Sequence, residues 1–195
     1  MQCGIVIKPI TRSTAERRDV LRRIAMAMHG VGLAENRAWS GARFSECRTW
    51  RYSLWRMWGD GPPMAVIGLN PSTADEARND PTVRRCIDFA RRDGYGGLVM
   101  LNIFAFRATD PNKMKSAIDP IGPENDREII RMAEACGITV LACGVHGAFM
   151  GRLNSVVDLL RDKPVYCFGV TKGGYPRHPL YLAKTTKIEV YHGAK

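Results

Sequence analysis

The stretch Met64-Ala-Val-Ile-Gly-Leu-Asn-Pro-Ser-Thr-Ala-Asp75 constrains this chain more than any other. Four apolar residues, Met64 to Ile67, read as a short buried strand. Gly68 then admits close backbone approach, and Pro71 cannot continue a central strand. Asn70, Ser72, Thr73 and Asp75 therefore fall on the turn just beyond a strand's carboxyl end. In open α/β sheets that edge binds ligands. The same residue types also make ordinary turns, so the stretch needs support from the rest of the chain.

Three further apolar runs supply it. Leu98 to Leu101 reads as a second buried strand and delivers Asn102 to its end. Ile138 to Cys143 reads as a third, ended by Gly144. Val165 to Gly169 reads as a fourth, opening into the Gly-rich basic loop Thr171-Lys-Gly-Gly-Tyr-Pro-Arg-His-Pro179. Helical patterns separate them. Asp80 is an N-cap candidate with Pro81 in the first helical position, followed by Val83, Cys86, Ile87 and Ala90 on an apolar face. Glu124 to Cys136 and His146 to Leu160 read as two more helices, and Asn112 to Asp119 as a loop. Tyr52 to Trp58 alternates like a strand. After the turn Gly59-Asp-Gly-Pro-Pro63 it is the expected hairpin partner of the Met64 strand. Lys187 to Tyr191 reads as a last strand. This alternation predicts a single three-layer α/β/α domain with a central, mainly parallel sheet.

Residues 1–41 read as a basic N-terminal helix and connecting loop packed on the same domain, and 42–195 as the α/β body. The helix spans residues 11 to 29, with Ser13 or Thr14 as cap and Arg12, Arg17, Arg18, Arg22 and Arg23 crowding it. Those arginines form either a solvated face or a phosphate-contacting one. The formal net charge of +10 over 195 residues favours a polyanionic partner, whether DNA, RNA or a phosphorylated ligand. Arg and aromatic residues interleave from Arg43 to Trp58, which suits base stacking as well as the edge of a core. No apolar run reaches about 18 residues and no signal peptide is evident, so no membrane partner is expected. Six cysteines without a C-x-x-C pair predict a reduced, cytoplasmic protein with no disulfide and no zinc site, and a monomer is expected.

Four strand ends carry polar groups to one edge. They are Asn70 with Ser72 and Asp75, then Asn102, then Gly144 with His146, then the loop holding Lys172, Arg177 and His178. An Asn amide offers a donor and an acceptor to a pyrimidine edge, and a His can donate to a developing negative oxygen. A Cys143–His146 nucleophile pair is an alternative. The P-loop, dinucleotide-binding, zinc-protease and serine-hydrolase motifs are missing.

The order of these pieces resembles the uracil-DNA glycosylase superfamily. Gly68-Leu-Asn-Pro71 resembles its first motif, and Leu98-Val-Met-Leu-Asn102 the strand ending in the pyrimidine-reading Asn. Leu141-Ala-Cys-Gly144 to Ala148 resembles the later Gly-x-x-Ala element, and His178-Pro179 the C-terminal motif whose loop inserts at the minor groove. Asn70 stands where the uracil-specific branch has a water-activating Asp, and Leu180-Tyr181 where it has Ser-Pro. More closely, Asn70 to Asp75, Asn79 to Thr82, Asn102 to Pro111 and Ile121 to Asn125 resemble a family of small bacterial and phage proteins known only as a domain of unknown function.

The glycosylase resemblance implies a base flipped into a pocket over Gly68 and Ser72 and read by Asn102. Asn70 would position water or another nucleophile and His178 would stabilise the leaving base; Asp75 or Asp80, which with Thr73 and Thr82 have no assignable counterpart in that superfamily and suggest a changed chemistry, would act as base. Lys172, Arg177, Arg84 and Arg22 would contact phosphate. No cofactor or metal is expected. Two rivals share the pocket. One is a phage-type transferase that builds a hypermodified pyrimidine with an amine co-substrate; the other is a binding module without turnover.

Overall fold

The computed structural model describes residues 39–193. The expected N-terminal helix and Arg22 lie outside the described residues. Seven strands form one sheet: β1 (Trp39–Phe44), β2 (Arg51–Met57), β3 (Pro63–Gly68), β4 (Gly97–Asn102), β5 (Ile138–Leu141), β6 (Tyr166–Cys167) and β7 (Glu189–Val190). Four α-helices accompany them among the described residues: α1 (Pro81–Arg92), α2 (Pro111–Lys115), α3 (Asn125–Ala135) and α4 (Arg152–Leu159). The strand order is β1-β2-β4-β3-β5-β6-β7. The protein is thus an α/β protein with a mixed sheet. Parallel pairing is confined to the centre, from β4 through β3 and β5 to β6. The flanks, β1 with β2, β2 with β4, and β6 with β7, are antiparallel. The expectation of a mainly parallel sheet holds only for that centre, because the short Ser45–Trp50 connection between β1 and β2 forms a hairpin, not a crossover.

Every residue of β3 and β4 is buried. Their alternation splits the core in two. Met64, Val66, Leu98 and Met100 pack with Val83, Cys86, Phe89 and Ala90 of α1. Ala65, Ile67, Val99 and Leu101 pack instead with Met114 of α2, Ile129 and Met132 of α3, and Leu153 and Val156 of α4. Helices thus seal opposite sides of the central strands, which explains why these strands read as continuous apolar runs.

Three local expectations are corrected. β2 is not the neighbour of β3; β4 lies between them. The connection from Met57 to Pro63 straddles the start of β4, where Trp58 N and Gly59 N donate to Gly96 O and Gly96 N donates to Pro62 O. A side chain at position 96 would have its Cβ 2.2 Å from Gly61 O, so only glycine fits under this strap. The segment expected as a loop after Pro111 opens with α2, capped by Asp110, which accepts from Asn112 N at 2.9 Å. The helix expected from His146 to Leu160 is broken. A 3-10 turn over Val145–Gly151 precedes α4, with Met150 and Gly151 both at positive φ. The break lets Arg152 start α4 fully buried, with its Nε donating to Ile103 O at 2.7 Å and Nη2 paired with Asp126.

Candidate functional site

β4 lies on one side of β3 and β5 on the other. The chain leaving β3 runs to α1 on one face, and the chain leaving β5 runs to α4 on the other. The carboxyl ends of β3 and β5 thus flank a topological switch point, where open α/β sheets hold their ligands. Gly68 ends β3 and Asn70 follows it, Asn102 ends β4, and Gly144 follows β5.

Gly68 and Asn102 are register partners at the ends of β3 and β4. Asn102 is only 3% exposed, and its Nδ2 has no hydrogen-bond partner among the described residues. Its Oδ1 lies 3.0 Å from where a Cβ on Gly68 would be, so the missing side chain makes room for the amide. The main chain around it is clamped. Asn125 Nδ2 donates to Asn102 O at 3.0 Å and Ile103 O at 3.1 Å, and Ile103 N donates to Gly68 O at 3.0 Å. Buried amides are normally hydrogen-bonded, so this Nδ2 holds a donor in reserve on a clamped backbone.

Asn70 is placed differently from expectation. Its Nδ2 donates to Ala108 O at 2.7 Å and Pro71 O at 3.1 Å, stapling the loop after β3 to the loop after β4. Only its carbonyl oxygen is left for a ligand or water. Asp75 folds into its own turn, where Oδ1 accepts from Arg78 N at 2.7 Å and Ala77 N at 2.9 Å. Those two N–H groups hold its carboxyl below the usual carboxylate range, which makes it a poor proton acceptor. Asp80 caps α1 as expected, accepting from Val83 N at 2.8 Å, and is buried. Ser72 is half-buried beside this turn.

His178 reaches the same edge from the loop after β6. Gly144 N donates to Pro176 O at 2.8 Å, and the position a Gly144 Cβ would take lies 3.8 Å from His178 Cβ. Arg85 of α1 donates to Leu182 O, and Arg92 Nη1 donates to Lys184 O at 2.5 Å and Thr186 O at 2.7 Å, so α1 pins the chain that follows His178. Burial lowers the His178 pKa below 6.5, and the nearby Asp80 carboxylate only partly opposes this. Its Nδ1 accepts from Leu180 N at 3.4 Å, which places the proton of the neutral ring on Nε2. Lys172 and Arg177 are exposed on this loop; Arg84 is exposed at the start of α1, with Nη1 donating to Asn79 O at 2.5 Å. Cys143 and His146 do not form a pair: burial pushes the Cys143 thiol up to about 12, while exposed His146 meets Lys115 Nζ at 3.2 Å.

Arg51 and Asn125 are buried at this end of the sheet; Arg51 belongs to the Arg–aromatic interleave that suits phosphate contact, but neither was among the expected site residues. Arg51 carried a signal: in an all-buried strand an arginine needs a partner. Asn125 lay in a quoted motif, Ile121 to Asn125, but nothing in the sequence showed that it would clamp the Asn102 main chain.

The fold and these groups define an α/β protein with a polar cluster at the switch point of a mixed sheet. Within that class, the chain belongs to the DUF1643 family, a family of proteins of unknown function, which it matches over residues 51–180. The matched span contains Gly68, Asn70, Asp80, Asn102 and His178. No curated protein and no solved structure matches the chain, and nothing in these comparisons links it to the uracil-DNA glycosylase superfamily.

Proposed function

We propose that this protein is a three-layer α/β/α enzyme of the uracil-DNA glycosylase kind, acting on a pyrimidine flipped out of DNA. The observation that carries the reading is the buried, unpartnered Asn102 amide over Gly68. A pyrimidine edge offers the complementary acceptor and donor, and discrimination by such a pairing is strong because a wrong base leaves the amide unsatisfied. His178 supplies the second half. As the glycosidic bond breaks, the departing base takes the electron pair, and a neutral imidazole with its N–H on Nε2 donates to the developing negative oxygen. Water oriented by the Asn70 carbonyl adds to C1′ as that bond breaks, and its proton passes to Asp80, the carboxylate that also acts on His178. Gly144 keeps the wall next to His178 free of a side chain.

The engagement of Asp75 in its own turn and of the Asn70 amide in a loop staple favours a second reading, recognition without turnover. Duplexes and single strands containing uracil, hydroxymethyluracil, hypoxanthine or mismatched thymine separate the two, read by mass spectrometry of digested nucleosides and by alkali cleavage. A free base and an abasic site, both lost in Asn102→Ala and Asn70→Ala, support the glycosylase. Salt-sensitive binding without product supports the binding module. A heavier nucleoside, formed when an amine is added, supports a transferase.

A further inference from the structure

We infer that Arg51 and Arg107 form a phosphate-binding pair beneath the loop that follows β3. Trp50 and Phe106 make an isolated antiparallel bridge, flanked by Arg51 N to Ala105 O at 2.9 Å and Arg107 N to Thr49 O at 3.0 Å. In such a pair residues 51 and 107 share one face and lie diagonally, within reach of each other's long side chains. The Trp50 ring leaves from the opposite face, where its Nε1 donates to Asp119 O at 2.9 Å. Arg51 is 2% exposed; its Nη1 donates to Ala74 O at 2.7 Å and its Nε has no partner. Arg107 Nη1 donates to Arg48 O at 3.0 Å, and its Nε is also buried without a partner.

Each guanidinium carries five donors. Among the described residues neither is paired with a carboxylate. The carboxylates closest in influence, Asp80 and Asp75, are taken up by backbone N–H groups. Arg85, bonded to Leu182 O, also keeps a buried Nε without a partner, but other arginines of this fold are more fully engaged. Buried Arg56 donates to Asn79 Oδ1 and to four carbonyls, Arg152 pairs with Asp126, and Arg48 forms a two-point bridge with Glu76 at 2.9 and 3.1 Å. Burial depresses the Arg51 pKa to about 10; the Asp80 carboxylate opposes the shift, and Arg107 and Arg56 add to it. Two like charges on one face, each with donors to spare, gain a partner when an anion arrives. A phosphoryl group fits best, since its oxygens accept from two planar forks at once.

Ala74 O, the acceptor of Arg51, belongs to the loop after β3, and Arg107 lies five residues beyond Asn102. Phosphate and base would thus be read from the same pair of loops, making the substrate a nucleotide. That last step rests on the base-recognition reading; the phosphate site itself does not.

Calorimetric titration of the full chain with inorganic phosphate, against chloride at equal ionic strength, tests the site. Phosphate is expected to bind, and Arg107→Gln to weaken it by at least about tenfold. Arg107→Gln is preferred because removing fully buried Arg51 risks the fold; circular dichroism and an unchanged urea midpoint certify the variant. Competition then identifies the source. Displacement by a deoxynucleoside 5′-monophosphate but not its nucleoside assigns a free nucleotide. Displacement by an oligonucleotide lacking terminal phosphates assigns a phosphodiester. Phosphate binding no tighter than chloride, or unchanged in Arg107→Gln, overturns the inference. Phosphate binding with no base chemistry would overturn the glycosylase reading alone.

Discussion

His178 and Asp80 form the most informative pair of side chains at the carboxyl edge. A histidine whose folded pKa is depressed binds fewer protons than the unfolded chain as pH falls. Its contribution to stability is therefore complete above about pH 6.5 and is lost as the pH drops from there through the folded pKa. The urea midpoint should fall over that window, and His178→Gln should remove that part of the dependence. By NMR, the His178 ring should titrate below 6.5 with the proton on Nε2 in the neutral form. Asp80→Asn separates the two jobs of Asp80. Asparagine is an equally good cap, so stability should hold, while loss of the carboxylate should lower the His178 pKa further. Asp80→Ala should cost about 1 kcal/mol and about 2–4 °C in Tm. A His178 titration unchanged in Asp80→Asn would mean that the two groups do not share the edge.

The strands and helices show where sequence is a sufficient guide. β3 and β4 were legible because each is a short apolar run bounded by glycine, and burial on both faces is what writes such a run. α1 was legible because its Asp-Pro start is local chemistry. The partner of β2 was not legible: alternation marks a strand but never names its neighbour, and the strap over Gly96 depends on contacts far apart in sequence. The break in the helix after β5 was not legible either: Phe149 leaves helical geometry and Met150 and Gly151 take positive φ, which apolar spacing does not reveal. At the site, Gly68, Asn102 and His178 were visible as strand-end residues, whereas the internal bonding of Asn70 and Asp75 was hidden in loop geometry. One contact between strands and helix tests the packing. Glu128 of α3 is fully buried and accepts from Ser53 Oγ of β2 at 2.5 Å, Arg43 Nη1 of β1 at 2.8 Å and Arg131 Nη2 at 2.5 Å. Glu128→Ala should cost about 3 kcal/mol, the low end for a broken buried pair, because both arginines are about a quarter exposed and can turn to water. Urea unfolding with an unchanged m-value checks it, and Glu128→Gln, which still accepts from Ser53, should lose less.

The charge of the chain connects the site to its surroundings. A formal net charge of +10 draws a polyanion from any direction, yet exposed Lys172 and Arg177 stand beside His178 at the carboxyl edge, and exposed Arg84 stands at the start of α1. Among the described residues, no helix is long and apolar enough to cross a membrane. If DNA is the partner, contacts to phosphate and contacts to the base must separate in their response to salt. Each lost phosphate contact lowers the slope of log K against log salt by about 0.9 on duplex DNA and about 0.7 on single strands. Lys172→Ala with Arg177→Ala should therefore flatten the slope by about 1.4 to 1.8 and weaken binding to all sequences alike. Asn102→Ala should leave the slope unchanged and remove only the preference for one base. Fluorescence anisotropy over a salt series measures both. A double variant with the wild-type slope would place the DNA on another face of the molecule and detach it from the Asn102 site.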